Sequence, residues 1–320
     1  MRRDEEEAPR AKFRNKLGRK VFEVDEVNAR YGVVPPSKHS GELSITIPAS
    51  LVSDVPHLRE KTFKIGLIGR AAAIFHVDEI IVFPDLPRVD QSRDSNLIAT
   101  ILSYMETPQY LRKRLFKIKP ELRYAGVLPP LRTPHHPLSD RIENLMVGEY
   151  REGVAVSSFT GGSLVDIGVE QPALVSGAQL PINSRVTVRI IELGRRPKAV
   201  LASRDEVKVY WGYHVTISDI PFGQLVRSRP FDLVIATSRH GRPFMEVRDE
   251  LGKRWKNSSR TLVAFGAPTQ GLYEIVAHER LQLDEVAHFT VNTIPSQGTE
   301  TVRTEEAIYV SLAILNLLAG

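Results

Sequence analysis

The sequence contains no cysteine, which excludes disulfides and every thiolate-ligated metal and suits the reducing cytoplasm. No run approaches the roughly 20 consecutive apolar residues of a bilayer span. The N-terminus is charged and lacks the apolar core of a signal peptide, so a cytoplasmic protein with no membrane partner is expected. Nucleotide-binding fingerprints are missing as well. There is no P-loop, and Gly66 and Gly69, the nearest thing to a dinucleotide loop, sit inside a helical pattern rather than just after a strand, where close packing explains them. Adjacent His135 and His136 have no third ligand nearby, and neighbouring residues rarely converge on one ion. They are expected in polar or packing roles, and no metal site is expected.

What is present suffices for two domains: 320 residues, 42% of them apolar. Lys and Arg number 43 against 38 Asp and Glu, for a net charge of +5 and a pI near 9.3, a moderate excess that suits a polyanionic partner. Residues 1–40 mix an acidic run from Asp4 to Glu7 with many Arg and Lys, the composition of a solvated extension. Leu43 to Pro48 then alternate as a strand, Leu58 to Phe75 carry apolar residues at helical spacing, and Asp78 to Phe83 form a second buried strand. That βαβ unit predicts a parallel sheet. Asp94 to Glu106 continue as helix. The segment from Pro108 clusters Arg112, Lys113, Arg114 and Lys117 beside Tyr110 and Phe116; it could grip RNA phosphates and stack bases, or be a solvated basic face. Leu128 to Pro137, with Arg132 as a further candidate RNA contact, is a proline-rich connector.

From Gly148 to Ser203 the texture changes to five short strands separated by Gly-rich turns, the spacing of a small barrel. Arg185 and Arg189 on these strands are candidate phosphate contacts, although such cations also serve solubility. After Asp205-Glu206 the α/β texture returns. Residues 41–130 and 207–320 therefore read as one domain, with residues 131–206 inserted at a loop.

The second half of the α/β part contains three strands that end in polar, glycine-bearing bends. Phe231 to Ala236 run into Thr237–Gly241. Thr261 to Ala267 run into Pro268–Gly271. His288 to Ile294 run into the hydroxyl- and amide-rich stretch up to Thr301. Ligands sit at the C-terminal ends of strands in open α/β sheets. A helix closes the chain, apolar nearly all the way round from Ala307 to Leu318. It is expected in the core or against a second subunit, with Thr304 or Thr301 as its cap and Glu305 and Glu306 in its first turn.

Phe265-Gly266-Ala267-Pro268-Thr269-Gln270-Gly271-Leu272, followed by the run from Asn292 to Ala307, resembles the SPOUT class of RNA methyltransferases. The resemblance is narrower still, to the archaeal and eukaryotic branch with an inserted OB-like domain, and extends over nearly the whole chain from Gly41. Arg151 to Val156 followed by Gly161 to Gly168 is similar to the opening hairpin of an S1-type OB fold. The resemblance implies an α/β fold, a trefoil-knotted methyltransferase domain with an inserted all-β OB-like barrel. It implies S-adenosylmethionine as cofactor, held by Thr237, Gly241, Gly266, Gly271, Asn292, Ile294, Gly298, Thr299 and Thr301, and a homodimer formed through the knot domain. Candidate catalytic residues are Arg239, Glu300 as a general base, and Arg303, which could instead anchor RNA phosphate or the loop. The implied activity is methyl transfer to a structured RNA, ribosomal rather than transfer RNA, at a base nitrogen such as uridine N3, with ribose transfer also open. A noncatalytic RNA-binding or assembly protein built on the same scaffold is the competing expectation.

Overall fold

The computed structural model describes residues 41–318. They form two compact units, one of residues 41–137 with 208–318, the other of residues 138–207; the extension expected over residues 1–40 lies outside the described residues. The elements of the larger unit are β1 (Glu42–Pro48), α1 (Leu58–Ile74), β2 (Glu79–Phe83), α2 (Ser92–Glu106) and α3 (Gln109–Leu115). The smaller unit contributes β3 (Tyr150–Phe159), β4 (Gly162–Asp166), β5 (Ala173–Ser176), β6 (Arg185–Glu192) and β7 (Lys198–Ala202). The larger unit then resumes with β8 (His214–Ile217), α4 (Phe222–Ser228), β9 (Leu233–Pro243), α5 (Phe244–Lys256), β10 (Arg260–Ala264), α6 (Leu272–Ala277), β11 (Phe289–Asn292) and α7 (Thr304–Asn316). None of the described helices is long and apolar enough to cross a membrane.

Six strands of the larger unit form one sheet in the order β11-β9-β10-β1-β2-β8, every pairing parallel. The mixed α/β class with a parallel sheet is thus the one expected. Apolar residues on both faces of β2, β9 and β10 require helices on both sides. Ile80, Ile235 and Val263 pack with Ile65 and Ile68 of α1, Val247 of α5 and Leu312 of α7. Their neighbours Ile81, Val234 and Leu262 point the other way, to Leu225 of α4 and Ile275 of α6. This two-residue alternation divides the core into two layers; each fully buried Leu or Ile contributes about 1.5–3 kcal/mol.

Two sequence features are used for close approach and polar anchoring. A Cβ on Gly69 of α1 would lie 2.7 Å from the Tyr213 hydroxyl and 3.1 Å from Leu102, so glycine here lets α1 close on α2, as the helical spacing suggested. His135 is fully buried, and the Nε2 atoms of His135 and His136 both donate to the Glu106 carbonyl at the end of α2, at 2.9 and 2.7 Å. Burial and the neighbouring His135 push the His136 pKa down to about 3, which keeps the ring neutral beside its partner. Among the described residues no cluster with metal-ligand composition occurs.

A polar cluster marks the edge of the sheet. Glu79 opens β2, and its carboxylate accepts a forked pair of bonds from Arg229, at 3.1 and 2.7 Å. Thr216 of β8 donates at 2.7 Å and His214 stands 3.3 Å away. Burial raises the Glu79 pKa, but the His214, Arg229 and Thr216 bonds outweigh it and hold the value at about 2.

The smaller unit is a closed five-stranded barrel ordered β3-β4-β5-β7-β6. Val165, Val175, Val188 and Ile190 fill it. Buried Glu152 of β3 accepts from Arg185 Nε and Thr187 Oγ1 of β6, both at 2.6 Å, so a polar tie reinforces the β3–β6 seam.

Candidate functional site

Three bends converge, two just past the C-terminal ends of β10 and β11 and one within β9, because of an irregularity in β9. Its register against β11 passes from Ala236 opposite Thr290 directly to Arg242 opposite Val291. Thr237–Gly241 therefore loop out as an excursion from a strand that resumes pairing beyond them, whereas the sequence suggested a strand that simply ended at Ala236. Gly241 makes the return possible: a Cβ there would lie 2.7 Å from the Thr290 carbonyl oxygen and 2.8 Å from the Val291 carbonyl carbon.

Side chains tie the excursion to the loop after β11. Asn292 Nδ2 donates to the Arg239 carbonyl at 3.0 Å while its Oδ1 accepts from Ile294 N–H at 2.9 Å. Arg239 Nη1 donates to the Glu300 carbonyl at 3.1 Å, and Gln297 Nε2 bridges the Thr299 and Glu300 carbonyls. The start of α7 closes the circuit, because the Thr304 hydroxyl donates to the Gly266 carbonyl at 3.1 Å. Thr304 is thus not the helix cap that the sequence suggested. Arg303 occupies that position, with its N–H bonded to Glu306 at 3.0 Å. The helix is also less uniformly covered than its composition implied: Ile308, Leu312 and Leu315 are buried, while Val310 is 37% and Leu317 74% exposed.

Between these bends lies a cleft of about 240 Å³. Of the residues singled out from the sequence, Thr237, Arg239, Gly266, Gly271, Asn292, Ile294 and Thr301 line it. Gly241, Gly298, Thr299, Glu300 and Arg303 are not among its lining residues; Arg303 faces instead a separate groove of about 800 Å³ beside Arg59, Phe63 and Lys64 of α1. The sequence reading missed Glu274, Gln297 and Ser311, which do line the cleft. Ser311 stands in the largely apolar part of the helix and shares a 2.8 Å hydrogen bond with Thr293, so a small polar residue within an apolar run was the available signal. Glu274 lies on the first turn of α6, immediately after the Gly266–Gly271 bend.

The donor set has a definite chemistry. Main-chain groups of three bends, side-chain hydroxyls and amides dominate the lining, with Arg239 and Glu274 as its fully charged members. Such a lining fits a ligand with a purine edge, a ribose and a small zwitterion, which backbone N–H and C=O groups can read without opposing charges. S-adenosylmethionine has that composition.

The cationic candidates divide by environment. Arg112 is committed within the fold: Nε donates to the Thr107 carbonyl at 2.8 Å and Nη2 to the Met105 carbonyl at 3.0 Å, with the guanidinium 4.6 Å from the Tyr104 ring centre. It satisfies carbonyls at the C-terminal end of α2 rather than standing free for phosphate. Arg185 is held by Glu152. Lys113, Arg114, Lys117, Arg132 and Arg189 are exposed.

Comparison with known proteins agrees with this chemistry. Residues 42–315 match the family described as "Putative RNA methyltransferase". The chain is 34% identical over 310 residues to the 28S rRNA (uridine-N(3))-methyltransferase of Drosophila melanogaster, covering 85% of this chain and 61% of that protein. It is 34% identical to the mouse protein of the same name, with 85% and 75% covered. An uncharacterized protein of Halobacterium salinarum is 35% identical, with 86% and 98% covered. With the family matched across most of its length, the chain belongs to the "Putative RNA methyltransferase" family.

Proposed function

We propose that this protein is a cytoplasmic S-adenosylmethionine-dependent methyltransferase that modifies N3 of a uridine in ribosomal RNA. The carrying observation is the convergence of the β9, β10 and β11 bends on one cleft lined by main-chain, hydroxyl and amide groups. The names of the fly and mouse relatives support the choice of base and RNA. In this reading the larger unit is a SPOUT-type trefoil knot, with the β11–α7 segment threaded past the excursion of β9. The ties from Arg239 to Glu300 and from Thr304 to Gly266 favour it. The five-stranded barrel is an OB-like insertion that offers Arg189 to RNA.

Thr237, Gly266, Gly271, Asn292, Ile294 and Thr301 would hold the cofactor, which supplies a methyl group on a sulfonium when bound. The chain's own residues then have three tasks. Uridine N3 carries a proton that must leave as the base reacts, and Glu300, on the loop that Arg239 and Gln297 fix, is the candidate acceptor. Arg239 orients that loop through the Glu300 carbonyl. Arg303, exposed in the groove with Arg59, is placed to take an RNA phosphate. Exposed Val310 on α7 and Leu317 just past its end, continuing the helix stripe of Glu306, suit a homodimer interface through the knot domain.

Calorimetric titration with S-adenosylmethionine and its demethylated product tests the cofactor assignment. Absence of binding would turn the reading toward a noncatalytic RNA scaffold. Mass mapping of ribosomal RNA from a deletion strain and its parent tests the target, and loss of one N3-methyluridine is the expected result.

A further inference from the structure

Behind the cleft, outside its lining, lies a buried carboxylate with four donors. Asp85, just past the C-terminal end of β2, is 4% exposed. Its Oδ1 accepts from Ser50 N–H at 3.0 Å and Gln91 Nε2 at 2.9 Å. Its Oδ2 accepts from the Ser50 hydroxyl at 2.5 Å and from Gln270 Nε2 at 3.1 Å. Gln91 Oε1 in turn accepts from the N–H groups of Asp85 and Leu86. The carboxylate is therefore clamped before it meets Gln270, which stands in the cleft-lining bend after β10. Gln270 is oriented from both ends, because its Oε1 lies 3.2 Å from His278 Nε2 and its main-chain carbonyl accepts from Ala267 N–H at 2.9 Å.

We propose that Asp85 is a positioning residue for the cofactor site: through Gln270 it sets the conformation of the Gly266–Gly271 bend that presents main-chain groups to S-adenosylmethionine. This rests on the cofactor reading above. The physical basis is that a buried carboxylate is acceptor-only, so it dictates which end of the Gln270 amide faces it. A bend whose one long side chain is fixed in this way enters the complex already ordered, which lowers the entropic cost of binding.

The polarity of the contact supplies the test. Asp85→Asn keeps Oδ1 on Ser50 N–H and Gln91 but turns an N–H₂ group toward the Ser50 hydroxyl and Gln270. The hydroxyl can rotate to accept; the Gln270 amide can accept only by turning its N–H₂ onto His278. Gln270→Glu alone sets two carboxylates against each other. The double variant, Asp85→Asn with Gln270→Glu, restores the side-chain contacts with two reversed, the Ser50 hydroxyl and the residue-270 carboxylate both now accepting from the introduced amide, and leaves the second carboxylate oxygen for His278 Nε2–H. In the full-length protein, calorimetric affinity for S-adenosylmethionine should fall at least tenfold in each single variant and return to within about threefold of wild type in the double. Hydrogen exchange of the Gly266–Gly271 amides, measured without cofactor, should rise in the singles and recover in the double. Exchange and affinity that stay at wild-type levels in the singles, or a double variant no better than the worse single, would overturn the proposal. If wild type itself binds no cofactor, the functional reading fails, and the exchange measurement still decides whether Asp85 orders the bend.

Discussion

Replacing Glu79 with Gln perturbs one buried charge and has a sign that can be worked out in advance. The side chain is 2% exposed, and its bonds hold the pKa near 2 against an ordinary 4.5. At about 1.4 kcal/mol per pH unit, that depression corresponds to about 3 kcal/mol of stability, comparable with the roughly 3–5 kcal/mol expected when one partner of a buried pair is removed. The folded-state pKa is lowered, so the contribution is fully present above pH 4.5 and is lost as pH falls toward 2, where the unfolded chain has already taken up its proton. Urea unfolding at a series of pH values should show wild type about 3 kcal/mol more stable than Glu79→Gln at pH 7, with the gap closing between pH 4.5 and 2. Using the difference between the two proteins cancels the other carboxylates. A gap that does not change with pH, or none at pH 7, would refute the assignment of that stability to the Arg229–Glu79–Thr216 cluster.

Arg112→Ala should cost about 1.5–3 kcal/mol in thermal or urea unfolding, because a charged donor to two carbonyls is removed. Exposed Lys117→Ala should leave stability unchanged; if it touches phosphate, it will lower RNA affinity and reduce the salt slope by about one. Gly241→Ala must push the return of β9 away from the β11 backbone, and a loss of about 1–3 kcal/mol with weakened cofactor binding is expected by melting and calorimetry. Thr304→Val removes the hydroxyl bond to Gly266 and should cost about 1 kcal/mol in unfolding experiments, with a parallel drop in cofactor affinity.

Legibility from sequence followed the range of the forces involved. Alternation of apolar residues in Leu43–Pro48, the continuous apolar run within Asp78–Phe83, and the five short runs between Gly148 and Ser203 are local signals, and strands formed at each. The resumption of β9 at Arg242 and Pro243 was illegible, because a Gly followed closely by Pro reads as the end of a strand; only the partner β11 makes those residues pair. Arg112 illustrates the same limit. A sequence displays a cation within a basic cluster, whereas the carbonyls of Met105 and Thr107 that occupy it become visible only when α2 ends beside it. Thr304 was recognised as a polar residue at a helix start, but its acceptor, the Gly266 carbonyl, lies 38 positions earlier. Asp85 gave no signal at all, since its four donors come from three separate segments.

The strand order also constrains how the molecule can be made. β1, the earliest described strand, lies mid-sheet with Glu42 opposite Arg260, so more than half of the chain must be synthesised before that pairing can close. Contacts of such long sequence separation make folding slow and delay formation of the sheet centre. The barrel strands find all their partners between Tyr150 and Ala202, so that unit can assemble while the sheet is still waiting for β10. The cleft between the bends, needing β9, β10, β11 and the start of α7, is then the last part to mature, and premature exposure of β1 to other chains is the hazard that this topology carries.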